Sequence, residues 1–317
     1  MMSALSPPLL VVVGPTASGK SELAVRLAET FGGEVVGCDS MQVYRGLDAG
    51  TGKPEPALRA RVPHHLIDVA DPAQDFNLGD YVRLAEEAVG GIRLAGRIPV
   101  IAGGTGLYLQ GLLRGVFAGP RRDEALRARL LAVEERRGHQ ALHRMLRRRD
   151  PATARRLGPR DTQRIVRALE VGFLTGRPLS EHLASEGFGE DRWPSVKIGL
   201  RLPRELQVRA IEARVDRFLA SGWADEVRRL AESGLPEQAN CWKALGYREV
   251  RRLVRGEIDE KEARATIATE TRRYAKRQMT WFRGEPDVAW FEHTGAIPWE
   301  EIRSRVASGL DRARGHL

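Results

Sequence analysis

The sequence predicts an α/β protein, a parallel sheet flanked by helices, with an all-helical insertion. Three observations predict it. Apolar runs of strand length at 9–13, 34–38, 98–102 and 196–202 end in polar or glycine-rich loops and alternate with stretches of helical period. The first run passes through GPTASGKS (14–21) into a helix-forming stretch at 22–28, the strand–turn–helix setting of a G-x-x-x-x-G-K-[ST] phosphate loop. Between 121 and 195 the strand-like runs vanish and arginine-rich helical sequence takes over. The expected division is therefore a P-loop NTPase-like core at 1–120 and 196–317, with the helical insertion at 121–195.

In order along the chain, the P-loop comes first. Its glycines let successive amides turn inward around an anion, and the helix N-terminus adds partial positive charge. Lys20 brings a point charge for phosphate, and the Ser21 hydroxyl can ligate Mg²⁺. The second strand, 34–38, ends in a polar loop at 39–46. Ligands of such sheets sit beyond the carboxyl ends of the strands, which places Asp39 beside the phosphates. Residues 50–54 form a loop, 63–68 a short strand with its lead-in, and 77–95 a helix with Tyr81, Leu84, Ala85 and Ala88 on its inner face. Strand 98–102 runs into Gly103-Gly104-Thr105, whose hydroxyl is expected to face the same crevice. After the insertion and a polar linker at 185–194, strand 196–202 returns to the sheet. A long helix at 204–221 carries Leu206, Ile211, Val215 and Phe218 on one stripe. Arg214 falls at the edge of that stripe, where it either snorkels along the core or reaches into the crevice toward an anion. Residues 225–230 continue as helix, 240–246 are irregular, 261–283 form a last strong helix, and 287–292 a last strand.

Composition narrows the class of function. With 42% hydrophobic and 29% charged residues, the 317-residue chain reads as an ordinary soluble protein. Its longest aliphatic run is too short to cross a bilayer and no cleavable signal pattern opens it, so no membrane partner is expected. Two cysteines give neither a disulfide framework nor a zinc spacing, which suits a reducing cytoplasm. The net charge of +9 is uneven: 121–170 holds 15 arginines against 7 acids, and 261–283 holds 7 Lys+Arg against 2 acids. Such concentration suits a polyanionic partner, although 45 of the 51 basic residues are arginine and the bias also fits a solvated helix face.

An anion cradle, a carboxylate and a hydroxyl thus converge at strand ends. Asp39 can hold Mg²⁺ or accept a proton from an attacking nucleophile. From these residues alone a small-molecule P-loop kinase ranks first, ahead of a nucleic-acid-stimulated ATPase.

A resemblance reverses that order. GPTASGKS (14–21), DSMQVYRGLDAGTGKP (39–54), PHHLID (63–68), GGTGLYLQG (103–111), DTQRIVRALEV (161–171), KALGYRE (243–249) and YAKRQMTWFRG (274–284) follow one another from 11 to about 285. Together they resemble the tRNA dimethylallyltransferase (tRNA isopentenyltransferase) family. With no zinc-finger extension, the resemblance is to its bacterial type. Nothing is carried over to 180–195, the least patterned stretch.

The resemblance implies transfer of a dimethylallyl group from dimethylallyl diphosphate to N6 of the adenosine immediately 3′ of the anticodon, in tRNAs reading codons that begin with U. It implies a diphosphate site at Gly14, Thr16, Ala17, Ser18, Gly19, Lys20 and Ser21, with Mg²⁺ at Ser21. Asp39 matches the catalytic base, Thr105 the threonine at the diphosphate and base sites, and Arg214 the arginine that reaches the leaving group, with Lys20 beside it. Contacts to the tRNA anticodon stem-loop map onto Asp39, Ser40, Met41, Gln42 and Thr105, onto Gln163, Arg164, Ile165, Val166 and Arg167, and onto Lys243, Ala244, Leu245, Gly246, Tyr247 and Arg248. Arginines and Lys243 can bind phosphate or stack on unpaired bases, while Gln42 and Gln163 can read base edges. Lys276 and Arg277 are backbone contacts or structural ion pairs. A cytoplasmic enzyme acting as a monomer is expected. The rival with the same core chemistry, an adenylate isopentenyltransferase, would need neither the basic insertion nor the AKRQMTWFRG helix.

Overall fold

An unbroken aliphatic run makes β1 (Leu9–Val13) a strand buried on both faces, with every residue at most 2% exposed. The computed structural model describes residues 7–117, 119–138, 140–186 and 189–315. β2 (Gly33–Gly37), β3 (His64–His65), β4 (Ile98–Ala102), β5 (Ser195–Arg201) and β6 (Val288–Glu292) run parallel to β1 in the order β3-β2-β4-β1-β5-β6. Register is fixed on both sides of β1, where Val11 stands beside Ile101 of β4 and Lys197 of β5. β1, β2, β4 and β5 therefore deliver their carboxyl ends to one rim.

The helices between them, in chain order, are α1 (Lys20–Phe31), α2 (Pro56–Arg59), α3 (Leu78–Leu94) and α4 (Gly106–Arg114). Asn77 caps α3 through a capping box with Asp80, which accounts for its sharp start. Then come α5 (Glu124–Arg137), α6 (Gln140–Arg149), α7 (Pro151–Arg156), α8 (Thr162–Thr175) and α9 (Leu179–Glu186). After β5 follow α10 (Arg204–Ala220), α11 (Trp223–Glu232), a 3-10 turn at Asn240–Lys243, α12 (Tyr247–Val254), α13 (Glu260–Arg283) and, beyond β6, α14 (Trp299–Gly315). The helix expected at 261–283 is thus not the last. Ile302, Val306 and Leu310 of α14 enter the core with Leu10, Val12, Leu23 and Leu27. A second core joins Val43, Tyr44 and Leu47 to Val215, Trp223, Tyr247 and Ile267.

The chain divides into two units, residues 1–113 with 193–317, and residues 114–192. The boundaries expected at 121 and 195 shift because side chains tie the lead-in to the helical unit. Arg114 pairs with Asp191 at 2.9 Å, and Arg167 Nη2 donates to the Pro120 carbonyl at 3.0 Å. Ser195 already belongs to β5. The linker expected at 185–194 includes residues 187 and 188, which lie outside the described residues.

The helical unit has its own core, with Leu130, Leu142, Leu146, Ile165 and Leu169 in contact. At its centre Glu170, fully buried, accepts from Arg127 Nε at 2.7 Å, Arg167 Nη1 at 2.6 Å and the Asp123 N–H at 2.9 Å. Burial opposes that charge, but the arginine hydrogen bonds outweigh it and hold the carboxyl down at about 2.

Candidate active site

The phosphate loop leaves β1 through Gly14, whose φ of 144° and close approach to β5 both exclude a side chain: a Cβ there would lie 2.2 Å from the Leu200 carbonyl oxygen. Gly19, at φ 84°, is the N-cap of α1 and makes no side-chain cap, so the helix's first amides are left for a ligand. Ala17 holds a left-handed φ of 62°, a strained conformation for a residue with a Cβ. Thr16, Lys20 and Ser21 line a cleft of about 560 Å³. The Ser18 hydroxyl oxygen is buried with no hydrogen-bond partner among the described residues. Three distant side chains brace the loop. The Thr16 N–H donates to Gln278 Oε1 at 2.8 Å, Gln207 Nε2 donates to the Thr16 carbonyl, and a ring nitrogen of His293 meets the Ser18 carbonyl at 3.1 Å.

Opposite this loop stands Asp39, just past β2. Its Oδ1 accepts from the Met41 N–H at 2.9 Å and the Gln42 N–H at 3.3 Å, a turn that leaves Oδ2 for other work. Burial pushes the Asp39 carboxyl above its ordinary range, against the pull of those amides and of Lys20 and Arg214. Lys20 donates to the Pro15 carbonyl at 2.6 Å. Desolvation, reinforced by Arg214 and opposed by Asp39, lowers its ammonium to about 7. Of the two readings open to Arg214, the structure selects the crevice. The guanidinium stacks over Phe218 at 4.9 Å and occupies the space that a Cβ on Gly52 would need. Two cations and a raised carboxylate therefore share one cleft, the pattern of an acid–base site built around an anion.

Thr105, at the end of β4, accepts from the Ser40 N–H at 3.0 Å. Its hydroxyl braces the Asp39 turn between Ser40 and Tyr274, two residues that line the cleft. Cys38 is buried and its thiol is pushed up to about 12, so it is inert wall.

An IPP transferase family model matches residues 42–285, and an Isopentenyl transferase model matches residues 7–62. A tRNA dimethylallyltransferase of Geobacter sulfurreducens is 47% identical over 285 residues, covering 90% of this chain and 92% of its own length. The chain belongs to the IPP transferase family. Among solved structures, the full-length tRNA isopentenylpyrophosphate transferase of Bacillus halodurans superposes with a TM-score of 0.72 at 37% identity, over 97% of this chain and 98% of that one. A eukaryotic dimethylallyltransferase acting on tRNA reaches 0.79 at 26% identity, over 95% of this chain and 78% of that one.

The family's expected tRNA contacts divide sharply once placed. In this IPP transferase, Ser40, Met41, Gln42, Lys243, Ala244, Leu245, Gly246 and Arg248 line the cleft with Asp39. Tyr247 does not: it is fully buried and donates its hydroxyl to Glu226 at 2.6 Å. Glu226 also accepts the Asp48 and Ala49 amides at 2.7 and 2.8 Å, so it fixes the loop that leads to Gly52. Gln42, which lines the cleft, donates its Nε2 to the Thr51 and Gly52 carbonyls at 3.2 and 3.0 Å. In the helical unit, Ile165 and Val166 are buried in the unit's own core and cannot serve as side-chain contacts. Arg167 is drawn into the Glu170 cluster, while Gln163 and Arg164 are exposed, Arg164 beside Asp161 at 3.1 Å. Lys276 is exposed, and Arg277 reaches the cleft with its guanidinium 5.8 Å from the Tyr274 ring. Sequence reasoning missed Gln207, Gln278, His293 and Glu226. Each is a polar residue whose partner lies far along the chain, so no local pattern marks it.

Proposed function

We propose that the chain transfers the dimethylallyl group of dimethylallyl diphosphate to N6 of the adenosine immediately 3′ of the anticodon, in tRNAs reading codons that begin with U, and releases diphosphate. The observation that carries this reading is the cleft in which a phosphate cradle with Lys20 and Arg214 faces an ionisable, desolvated Asp39. As the allylic C–O bond breaks, negative charge gathers on the departing diphosphate, where the P-loop amides, Lys20 and Arg214 stabilise it. The N6 lone pair, weakened by delocalisation into the ring, forms the new C–N bond while its proton passes to Asp39 Oδ2. Positioned base catalysis of this kind is worth about 10²–10⁴-fold. A raised pKa makes Asp39 the stronger base.

Ser21 fits the proposed Mg²⁺: it lines the cleft, it is exposed, and its hydroxyl is a hard oxygen ligand with no hydrogen-bond partner among the described residues. When bound, the ion would neutralise charge on the diphosphate. The remaining cleft residues, Lys243, Arg248 and Arg277, supply cations for a tRNA backbone, and the target base would be flipped from its stack to reach Asp39. The chain would act as a cytoplasmic monomer; among the described residues no helix is long and apolar enough to cross a membrane.

The test is incubation with labelled dimethylallyl diphosphate and an unmodified anticodon stem-loop, with AMP and a loop lacking the target adenosine as controls. Label on the stem-loop alone is the expected result. Label on AMP would make this a nucleotide prenyltransferase, and ATP consumption without prenyl transfer would make it a kinase.

A further inference from the structure

α13 presents Tyr274, Gln278 and Trp281, spaced four and three residues apart, along one stripe. That stripe docks closely on the loop after β4, at Gly104 and Gly106. A Cβ on Gly104 would fall 2.1 Å from Gln278 Nε2, and one on Gly106 would fall 2.1 Å from Trp281 Cδ1. Gln278 is 4% exposed and makes two directed hydrogen bonds. Its Oε1 accepts from the Thr16 N–H at 2.8 Å, and its Nε2 donates to the Gly104 carbonyl at 3.0 Å. Because an amide N–H can only donate and a carbonyl can only accept, the orientation of the side chain is fixed by its partners.

These two partners belong to opposite sides of the chemistry. Thr16 is part of the phosphate cradle. Gly104 precedes Thr105, whose hydroxyl holds the Ser40 N–H, and Ser40 follows Asp39. One side chain thus ties the leaving-group side to the base side. We propose that Gln278 is a positioning residue, setting the separation between the diphosphate cradle and Asp39. This rests on the prenyl-transfer reading for its kinetic consequence, while the geometric claim stands without it. Glutamine is suited to the task because one group must accept on one side and donate on the other. An ionised carboxylate would satisfy the Thr16 N–H yet oppose the Gly104 carbonyl, an ammonium or guanidinium would oppose the N–H, and an aliphatic side chain would serve neither. Misplacement of reacting groups by about 1 Å costs on the order of 10²-fold in rate.

The test compares wild type, Gln278→Leu and Gln278→Glu in single-turnover transfer to the stem-loop between about pH 5.5 and 8.5, with dimethylallyl diphosphate affinity measured separately. Gln278→Leu should lose roughly 10- to 100-fold in rate by this misplacement, with affinity changed less than about threefold and a ratio to wild type that is flat in pH. Gln278→Glu should recover toward wild type as pH falls, because protonation restores a donor for the Gly104 carbonyl; taking the ratio to wild type removes the titrations of Asp39 and Lys20. Wild-type rates for Gln278→Leu, or a pH-independent ratio for Gln278→Glu, would overturn the proposal. Amide hydrogen exchange at Thr16 separates this from failure of the functional reading. If wild type transfers nothing, faster exchange at Thr16 in Gln278→Leu with protection kept in Gln278→Glu still supports the clamp, and unchanged protection in both contradicts it.

Discussion

The phosphate loop at 14–21 and the strip at 163–167 are both short stretches that the family resemblance marks for ligand contact, and the structure treats them in opposite ways. In the loop, under the proposed function, the groups that would meet a ligand are backbone amides, Lys20 and Ser21, and Gly14 and Gly19 bend the chain that carries them. In the strip, Ile165 and Val166 face the interior of a helical unit, Arg167 is tied to Glu170, and Gln163 and Arg164 are left outside. A residue of the loop is placed by what holds the backbone turn; a residue of the strip is placed mainly by helix packing. The difference is one of support. Gln207, Gln278 and His293 hold the loop from outside, whereas the strip is held by its own helix period.

The comparison can be broken at several points. Arg214→Ala should lower transfer by about 10²–10³-fold, since it removes a charge that matters as the diphosphate departs; a rate within threefold of wild type would return Arg214 to a packing role. Ile165→Ala should cost the helical unit roughly 2–5 kcal/mol, seen as a lower melting temperature, with little change in the salt dependence of tRNA binding. A changed salt slope at full stability would make Ile165 a contact after all.

Proton linkage tests the loop from another side. Burial and Arg214 lower the Lys20 ammonium to about 7, below its ordinary value, and a diphosphate bound beside it would stabilise the charged form. Binding above pH 7 should therefore take up a proton, and affinity should fall by up to about tenfold per pH unit as pH rises. Calorimetry in two buffers of different ionisation enthalpy reads this directly; no uptake at pH 8 would mean that Lys20 is already charged. The smallest effect belongs to the strip. Arg164→Ala should reduce the slope of log affinity for tRNA against log salt by about one unit, and no change would leave the strip without a phosphate contact.

How much of this was legible follows from where the information lies. The parallel sheet and its strands were readable because aliphatic runs and glycine turns are local, and Asp39 was readable because topology puts strand ends on one rim. Arg214 stood undecided at the edge of its stripe; Gly52, some 160 residues earlier, settles it by leaving room for the guanidinium. α14 and its core residues were overlooked after the last strand. The Thr105 hydroxyl was readable at its strand end, but its bond to the Ser40 amide was not, because that partner lies 65 residues away. Glu226 and the glutamines are bound to partners up to 262 residues away, and a buried polar residue looks in sequence like any surface one. The charge run at 121–170 also hid structure: part of it is spent on buried Glu170 rather than presented to a polyanion.

The most direct test of the central claim is the single-turnover transfer rate of Asp39→Asn, measured with diphosphate and stem-loop both saturating. Asparagine can keep the turn by accepting the Met41 and Gln42 amides, so binding should change little. The rate should fall by about 10²–10⁴-fold, because no group remains to take the N6 proton. A rate close to wild type, with the product still prenylated at N6, would remove Asp39 as the base and with it the chemistry assigned to this cleft.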